Sequence, residues 1–493
     1  MYSMARTSRS PRNTARGNEL RQSWTGENII VTTPVPTRPD GRDNNTSHRT
    51  LFLRFLKILL LVSAICVLLG IAWDNLYIHR NYDEDRIISF YKEPENSLDV
   101  VLIGASDISR AYCPGVAYAD YGITSYPFTI NGDAVQVWRA QLDETMAHQN
   151  PDAVVIEVNG ALYSSSEESD YHMYQSAVER MALHLPLLSA PRLRMVAKYL
   201  ADSRDWACAL RLLIPLYEYH SNQPGSVQGA IATIWDNQNM DDDNEGVSTL
   251  RGFETITGKA EIGELIPDSE LGNETEDLDP AYEKALRSFL SYCQEQYPDT
   301  NILFVRTPHL FEKNNERMQR VYRRTNRIAE IIDEYGYTFL NCEKLKSEIG
   351  IDNETDFYDA NHLNVSGMQK FTKYFSEYLL AHGVTATGTD MEEKELRQWQ
   401  HTARYTELFL EYYDELQAQG VNGQDLYECS DVLDILHEMD EERAGTENAA
   451  NETLQSDAII STDSAGSATT VQEVPENSGT QMTDCETEQE VAA

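Results

Sequence analysis

The sequence predicts an α/β protein built on a parallel sheet that is buried on both faces. Short, wholly apolar runs recur along the middle of the chain, segments of helical periodicity alternate with them, and turn-forming residues such as Gly and Asn follow the runs. A strand apolar on both sides needs cover on both sides, and the intervening helices supply it.

The elements follow in order. LDVVLIG (Leu98 to Gly104) reads as a buried strand closed by Gly, and TSYPFTI (Thr124 to Ile130) as a weaker second strand. DAVQVWRAQLDETMAHQ then reads as a helix with Asp133 as a possible cap. AVVIEV (Ala153 to Val158) is a strong third strand. The helix over Pro280 to Gln296 starts with Pro, whose missing N–H costs nothing in a first turn. The strand NILFVR (Asn301 to Arg306), a helix over about 310–335, a short strand YTFLN (Tyr337 to Asn341) and a closing helix, SGMQKFTKYFSEYLLAHG, complete the alternation. Residues from about 172 to 275 interrupt it, helical in the first half and polar and acidic in the second. They read as an insertion, a lid or a partner-binding surface. Residues 390–418 read as an amphipathic helix appended to the core.

Charge and hydropathy set the remaining boundaries. The 493 residues carry a formal charge of −40, yet residues 1–50 hold eight Arg, no Lys and four acids. This front reads as a disordered tail, and residues 446–493, with ten acids and no Lys or Arg, as another. Leu51 to Trp73 (LFLRFLKILLLVSAICVLLGIAW) is apolar enough for the roughly 20 residues a bilayer crossing needs, with Trp73 and Tyr77 placed for the far interface. A cleaved signal peptide is the competing reading; it fits poorly with a long apolar run that begins 50 residues in and lacks a small-x-small cleavage site. The Arg-rich front predicts a cytoplasmic N-terminus and an exported region from residue 74 onward. Expected domains are thus the tail 1–50, the span 51–73, a catalytic-type domain 74–385, an appended segment 386–445 and the acidic tail 446–493. Strong acidity after the span argues against nucleic acid as a partner. The seven Cys are scattered without a CxxC or Cys/His cluster, so neither a structural zinc site nor a disulfide framework is expected. DDDNE at 241–245 lacks the pattern of a calcium loop and reads as solvated.

In an open parallel sheet, ligands sit beyond the carboxyl ends of the strands. The residues there are Ser106, Asp107 and Ser109 after the first strand, Asn131, Gly132 and Asp133 after the second, and Asn159 and Gly160 after the third. His309 follows the fourth, and Asp359 and His362 follow the fifth. They supply the parts of a serine-nucleophile site: a Ser on a Gly-preceded turn, a His to take its proton and an Asp to orient the imidazole. Backbone N–H groups near Ser106 and Gly132, with the Asn159 amide, would stabilise an oxyanion. Ordinary readings stand beside these. Ser106 could cap a helix, Asp359 and His362 could form a loop ion pair, and Asn159–Gly160 could be a plain turn. Asp107 and Ser109 could line the site but read rather as solvated turn residues, His309 reads as structural or exposed, and Trp399 as a packing residue rather than part of a glycan-stacking platform.

A Gly-x-Ser turn after the first strand, Gly after the second, Asn after the third and a late Asp-x-x-His together resemble the SGNH/GDSL hydrolases, over roughly residues 97–384 less the insertion. The chain departs from that pattern in GASDIS, which lacks the Asp before Ser, and in EVNG, where the family shows Gly-x-Asn-Asp. The resemblance implies a flavodoxin-like three-layer α/β/α sandwich, with Ser106 as nucleophile, His362 as base and Asp359 as its orienting acid. Gly132 (Asn131 being its rival) and Asn159 would be the oxyanion donors, and no metal or cofactor is expected. With a membrane anchor the chain is most similar to exported members that handle acyl groups on envelope polymers, such as the lipoteichoic-acid D-alanyl transfer protein and polysaccharide O-acetyltransferases. That implies a bacterial cell membrane of Gram-positive type, an acylated envelope glycan or polymer as substrate, and a membrane acyltransferase as a possible partner. Water as acceptor would make it an esterase and a sugar hydroxyl an O-acyltransferase. A catalytically inactive scaffold of the same fold, docking a membrane acyltransferase partner, is the alternative.

Overall fold

Five of the apolar runs assemble into one sheet in the computed structural model, which describes residues 44–76, 82–186, 189–214, 225–239 and 244–445. Most of both tails, Tyr77, and the acids at 241–243 of the DDDNE run lie outside those residues. The strands in chain order are β1 (Val100–Ile103), β2 (Ser125–Pro127), β3 (Ala153–Glu157), β4 (Glu254–Ile256), β5 (Ile302–Arg306), β6 (Thr338–Asn341) and β7 (Asp425–Tyr427). The five-stranded sheet runs β2-β1-β3-β5-β6, and every neighbouring pair in it is parallel.

Helices bury both faces of this sheet. Val100, Leu102, Val155, Leu303 and Val305 pack with Phe371, Phe375 and Leu379 of the Val365–Ala381 helix. Ile103, Val154, Ile156, Ile302 and Phe304 turn the other way and pack with Trp138, Leu286, Leu290 and Ile328. Each such side chain contributes about 1.5–3 kcal/mol when buried. Burial on both faces, rather than strand propensity, therefore holds strands of only four or five residues.

The chain passes from β1 out to the edge at β2 and then crosses back to β3 on the other side of β1. The carboxyl ends of β1 and β3 thus adjoin where the winding reverses, which is where an open parallel sheet leaves a crevice for ligand.

Several elements differ from their sequence reading. The helix expected from about 310 begins at Glu316, because Asn315 caps it by accepting the Met318 N–H at 3.2 Å. Asp133 is not the cap of the Val135–His148 helix: Ala134 occupies that position, and the Asp133 carboxylate accepts the adjacent Ala134 N–H. The interrupting region is helical at first (Glu168–His184, Ala190–Ser203, Trp206–Leu213 and Val227–Asn239). Its polar second half forms β4, which pairs antiparallel with β7, so the expected insertion and the appended segment share a small sheet. The Glu393–Ala418 helix of the appended segment buries Trp399 beneath the guanidinium of Arg251, 4.2 Å from the ring centre.

The N-terminal helix, Asn44–Leu76, contains the apolar stretch Arg49–Ala72, with mean hydropathy 2.7 and none of it buried. Its 24 residues span roughly 36 Å, long enough for a hydrocarbon core of about 30 Å.

Candidate active site

Ser106 reaches its position through a close approach of two strands. Gly104, the last residue before the turn, has φ +155°, and a Cβ there would lie 2.7 Å from Cβ of Glu157 on the neighbouring β3. Only Gly lets the two strand ends meet, and the chain then turns into the short helix Ser106–Ser109. The Ser106 hydroxyl is left 2.9 Å from Nε2 of His362.

His362 is held by a loop folded on itself. Its carbonyl accepts the Tyr358 N–H at 2.9 Å, Phe357 and Leu363 bridge, and the Asn364 side chain caps the following helix by accepting the Gly367 N–H at 3.3 Å. Inside this loop the Asp359 carboxylate accepts the N–H groups of Asn361 at 2.7 Å and His362 at 2.9 Å, and lies 2.9 and 3.0 Å from His362 Nδ1. Spacing of three residues is what lets one carboxylate hold both the backbone and the ring of the same His. Burial alone would raise the Asp359 carboxyl, but the His362 ring and the two amides outweigh it and hold it below the ordinary range. A carboxylate at Nδ1 fixes the proton there, which leaves the Nε2 lone pair toward Ser106.

Gly132 and Asn159 line the same cleft as Ser106. Gly132 has φ +71°, and a Cβ there would lie 2.5 Å from Sδ of Met173. Among the described residues, the N–H groups of Ser106 and Gly132 have no hydrogen-bond partner. The Asn159 carbonyl oxygen accepts from Arg306 at 3.1 Å, which directs its NH2 away from the guanidinium, 3.5 Å from the Tyr163 hydroxyl. Asn131, the rival of Gly132, does not line the cleft: its side-chain NH2 donates to the Tyr82 hydroxyl at 2.7 Å.

Beneath these residues sits a buried charge cluster. The Arg306 guanidinium, at the end of β5, reaches Glu343 at 3.0 Å, Glu157 at 3.1 Å and Asp107 at 3.4 Å. Asp107 is therefore not a solvated turn residue: it is buried, and His309 Nε2 lies 2.7 Å from it. Burial opposes its ionisation, but His309 and Arg306 outweigh this and hold its carboxyl well below the ordinary range. Glu157 goes the other way: burial first, then the Asp107 charge, push it up to about 8 against the pull of Arg306. Ser109 is likewise buried, donating to Glu254 of β4 at 2.7 Å. His309 is buried, with Nδ1 donating to the Thr307 carbonyl at 2.8 Å. The signal for this cluster was an acid or Arg at the end of an otherwise apolar strand, in AVVIE and ILFVR; sequence reading treated those residues only as strand ends.

Ser106, His362, Gly132 and Asn159 open into a cleft of about 300 Å³. Its outer wall includes Arg317, Arg320 and Arg324 of the Glu316–Glu334 helix, which sequence reading also missed. Their spacing of three and four, one face of a helix, was the available signal.

No family model matches the chain, and no curated protein matches it. Among solved structures, it is similar to a Lactobacillus plantarum protein at 12% identity and a TM-score of 0.26, over 58% of this chain and 98% of that one. It is also similar to a Streptococcus pneumonia structure described as a candidate platelet activating factor. There the identity is 11% and the TM-score 0.27, over 64% of this chain and 99% of that one.

Proposed function

We propose that the chain is a membrane-anchored, extracytoplasmic serine esterase or O-acyltransferase of SGNH/GDSL type, acting on acyl groups of cell-envelope glycans or polymers. The observation that carries this reading is the unbroken line from Ser106 Oγ through His362 to Asp359, with contacts of 2.9 Å on both sides of the ring. The parallel strand order, with its crevice between β1 and β3, and helices on both faces support a flavodoxin-like three-layer sandwich around it. The apolar Arg49–Ala72 stretch and the Arg-rich front support a single crossing with the N-terminus in the cytoplasm.

In the first half-reaction His362 Nε2 takes the Ser106 proton as Oγ attacks the acyl carbonyl. The tetrahedral oxyanion faces the N–H groups of Ser106 and Gly132 and the Asn159 amide. Collapse expels the alcohol, which leaves with the proton from His362, and the acyl group stays on Ser106. Water or a sugar hydroxyl then gives its proton to His362 and attacks the ester; the acyl–Oγ bond breaks, His362 returns the proton to Ser106 Oγ, and the acceptor carries the acyl group away. Asp359 stays ionised throughout and stabilises the imidazolium. The alternative, an inactive scaffold docking a membrane acyltransferase partner, draws on Trp206, Leu210, Val227 and Ile231, apolar residues exposed on helices of the interrupting region.

The deciding experiment treats the full-length protein, in detergent, with a fluorophosphonate serine probe. The enzyme reading expects labelling that disappears in Ser106→Ala and in His362→Ala; a folded wild-type protein that stays unlabelled sinks it and leaves the scaffold.

A further inference from the structure

We infer that the cleft takes a substrate carrying an oxyanion, a phosphate or a carboxylate, held by Arg320 and Arg324. This rests on the same cleft being the substrate site. The chain is strongly acidic overall, so a row of cations on the cleft wall stands against its own background charge. The row is also short of partners. Arg317 is paired with Asp170 at 3.1 Å and with Glu167 at 3.6 Å. Arg320, Arg323 and Arg324 converge on one carboxylate, Glu276, and Arg323 pairs with Glu316 at 3.0 Å as well. Arg323 takes the Glu276 carboxylate with two hydrogen bonds, at 3.1 and 2.8 Å, and Arg323 does not line the cleft. Arg320 and Arg324 approach Glu276 only to 4.0 and 3.6 Å, in both cases through Nε, so that neither makes a hydrogen bond to it, and Glu276 itself does not line the cleft.

Guanidinium groups held this loosely by their own carboxylate keep hydrogen-bonding capacity for an arriving oxyanion. Guanidinium forks match the oxygens of phosphate and carboxylate, where a neutral sugar offers only hydroxyls. Arg320 and Arg324 lie one helical turn apart, so both can address one anionic group while Ser106 and His362 line the same cleft. The anion then acts as an orienting handle: bound by the Arg pair, it places the acyl group or its acceptor at Ser106.

The test measures binding apart from chemistry. Full-length Ser106→Ala protein in uncharged detergent is titrated calorimetrically with inorganic phosphate, glycerol 3-phosphate, galacturonate and glycerol. The anions are expected to bind and glycerol not to. Arg320→Gln with Arg324→Gln is expected to weaken the anions about tenfold or more. Glu276→Gln, which removes the competing carboxylate, is expected to tighten them. Phosphates binding better than galacturonate identify a phosphate-bearing substrate, and the reverse order a uronic acid; either supports the site. No anion binding, or binding indifferent to both substitutions, overturns it. Fluorophosphonate labelling of the wild-type protein is read alongside: labelling without anion binding removes only the anion site, and anion binding without labelling removes only the serine reaction.

Discussion

Two groups of charged and polar residues lie one above the other at the carboxyl ends of the strands, and they are built in opposite ways. In the upper group Ser106 and His362 line the cleft, Asp359 stands behind the His362 ring, and the Asp359 side chain keeps 42% of its exposure. The lower group, Asp107, Glu157, Arg306, His309 and Glu343, is buried, with the Arg306 side chain at 1%, and of its members Asp107 and Arg306 reach the cleft lining. Partly solvated residues can exchange protons with substrate, whereas buried charges are too costly to move and act by holding the floor in place. The difference teaches that the geometry around Ser106 depends on a rigid ionic base: Arg306 grips Asp107, next to Ser106, and also Asn159.

The sharpest way to separate the two groups is substitution. Ser106→Ala or His362→Ala removes one member of the proposed reacting pair and is expected to lower turnover by about 10⁶-fold, while the melting temperature changes little. A large fall in melting temperature would mean that Ser106 belongs to the structural floor. Asp359→Asn is next, at roughly 10⁴-fold in kcat, through loss of the imidazole orientation; kcat within tenfold of wild type would remove Asp359 from the relay.

The lower group should respond the other way. Arg306→Met strands Asp107, Glu157 and Glu343 without their cation and is expected to destabilise by about 3–5 kcal/mol, read by chemical denaturation. Stability within 1 kcal/mol of wild type would show that the cluster does not depend on Arg306 for its charge balance. Asn159→Ala tests the seam between the groups: it should cost about 10²–10³ in kcat, and an unchanged kcat would exclude its amide as an oxyanion donor.

The smallest effect is a slope. Glu157 has a folded pKa near 8 against an ordinary 4.5, so it holds its proton in the folded protein where the unfolded chain has released it. Its contribution is present below about 4.5, declines as the pH rises and is lost by about 8. Between pH 5 and 8 the wild type should therefore lose stability relative to Glu157→Gln, and parallel stability curves for the two proteins would refute the shift.

How legible these groups were in the sequence follows from their construction. Asp359 and His362 sit three residues apart in one loop, and Ser106 follows a Gly turn, so local spacing was enough to single them out. The lower group draws one residue from the end of β3, one from the end of β5, one after β6, one from the short helix after β1 and one from the loop after β5. No window of sequence contains it, and so Asp107 read as a solvated turn residue. Asp133 read as a helix cap for the same reason: its type and place suit a cap, but burial, invisible in the sequence, pushes its carboxyl well above the ordinary range.

By itself, then, the amino-acid order determined what short-range physics controls: apolar runs that must be buried on both faces, the order of strands and helices, an unburied span long enough for a bilayer, and the Asp-x-x-His loop. Tertiary structure alone decided that β1 and β3 adjoin, that Ser106 meets His362 across 256 residues, that β4 finds β7, and that Arg306 is shared among three acids. These depend on which strand ends meet when both faces of the sheet are covered. That is a property of the whole packed core, and no segment carries it alone.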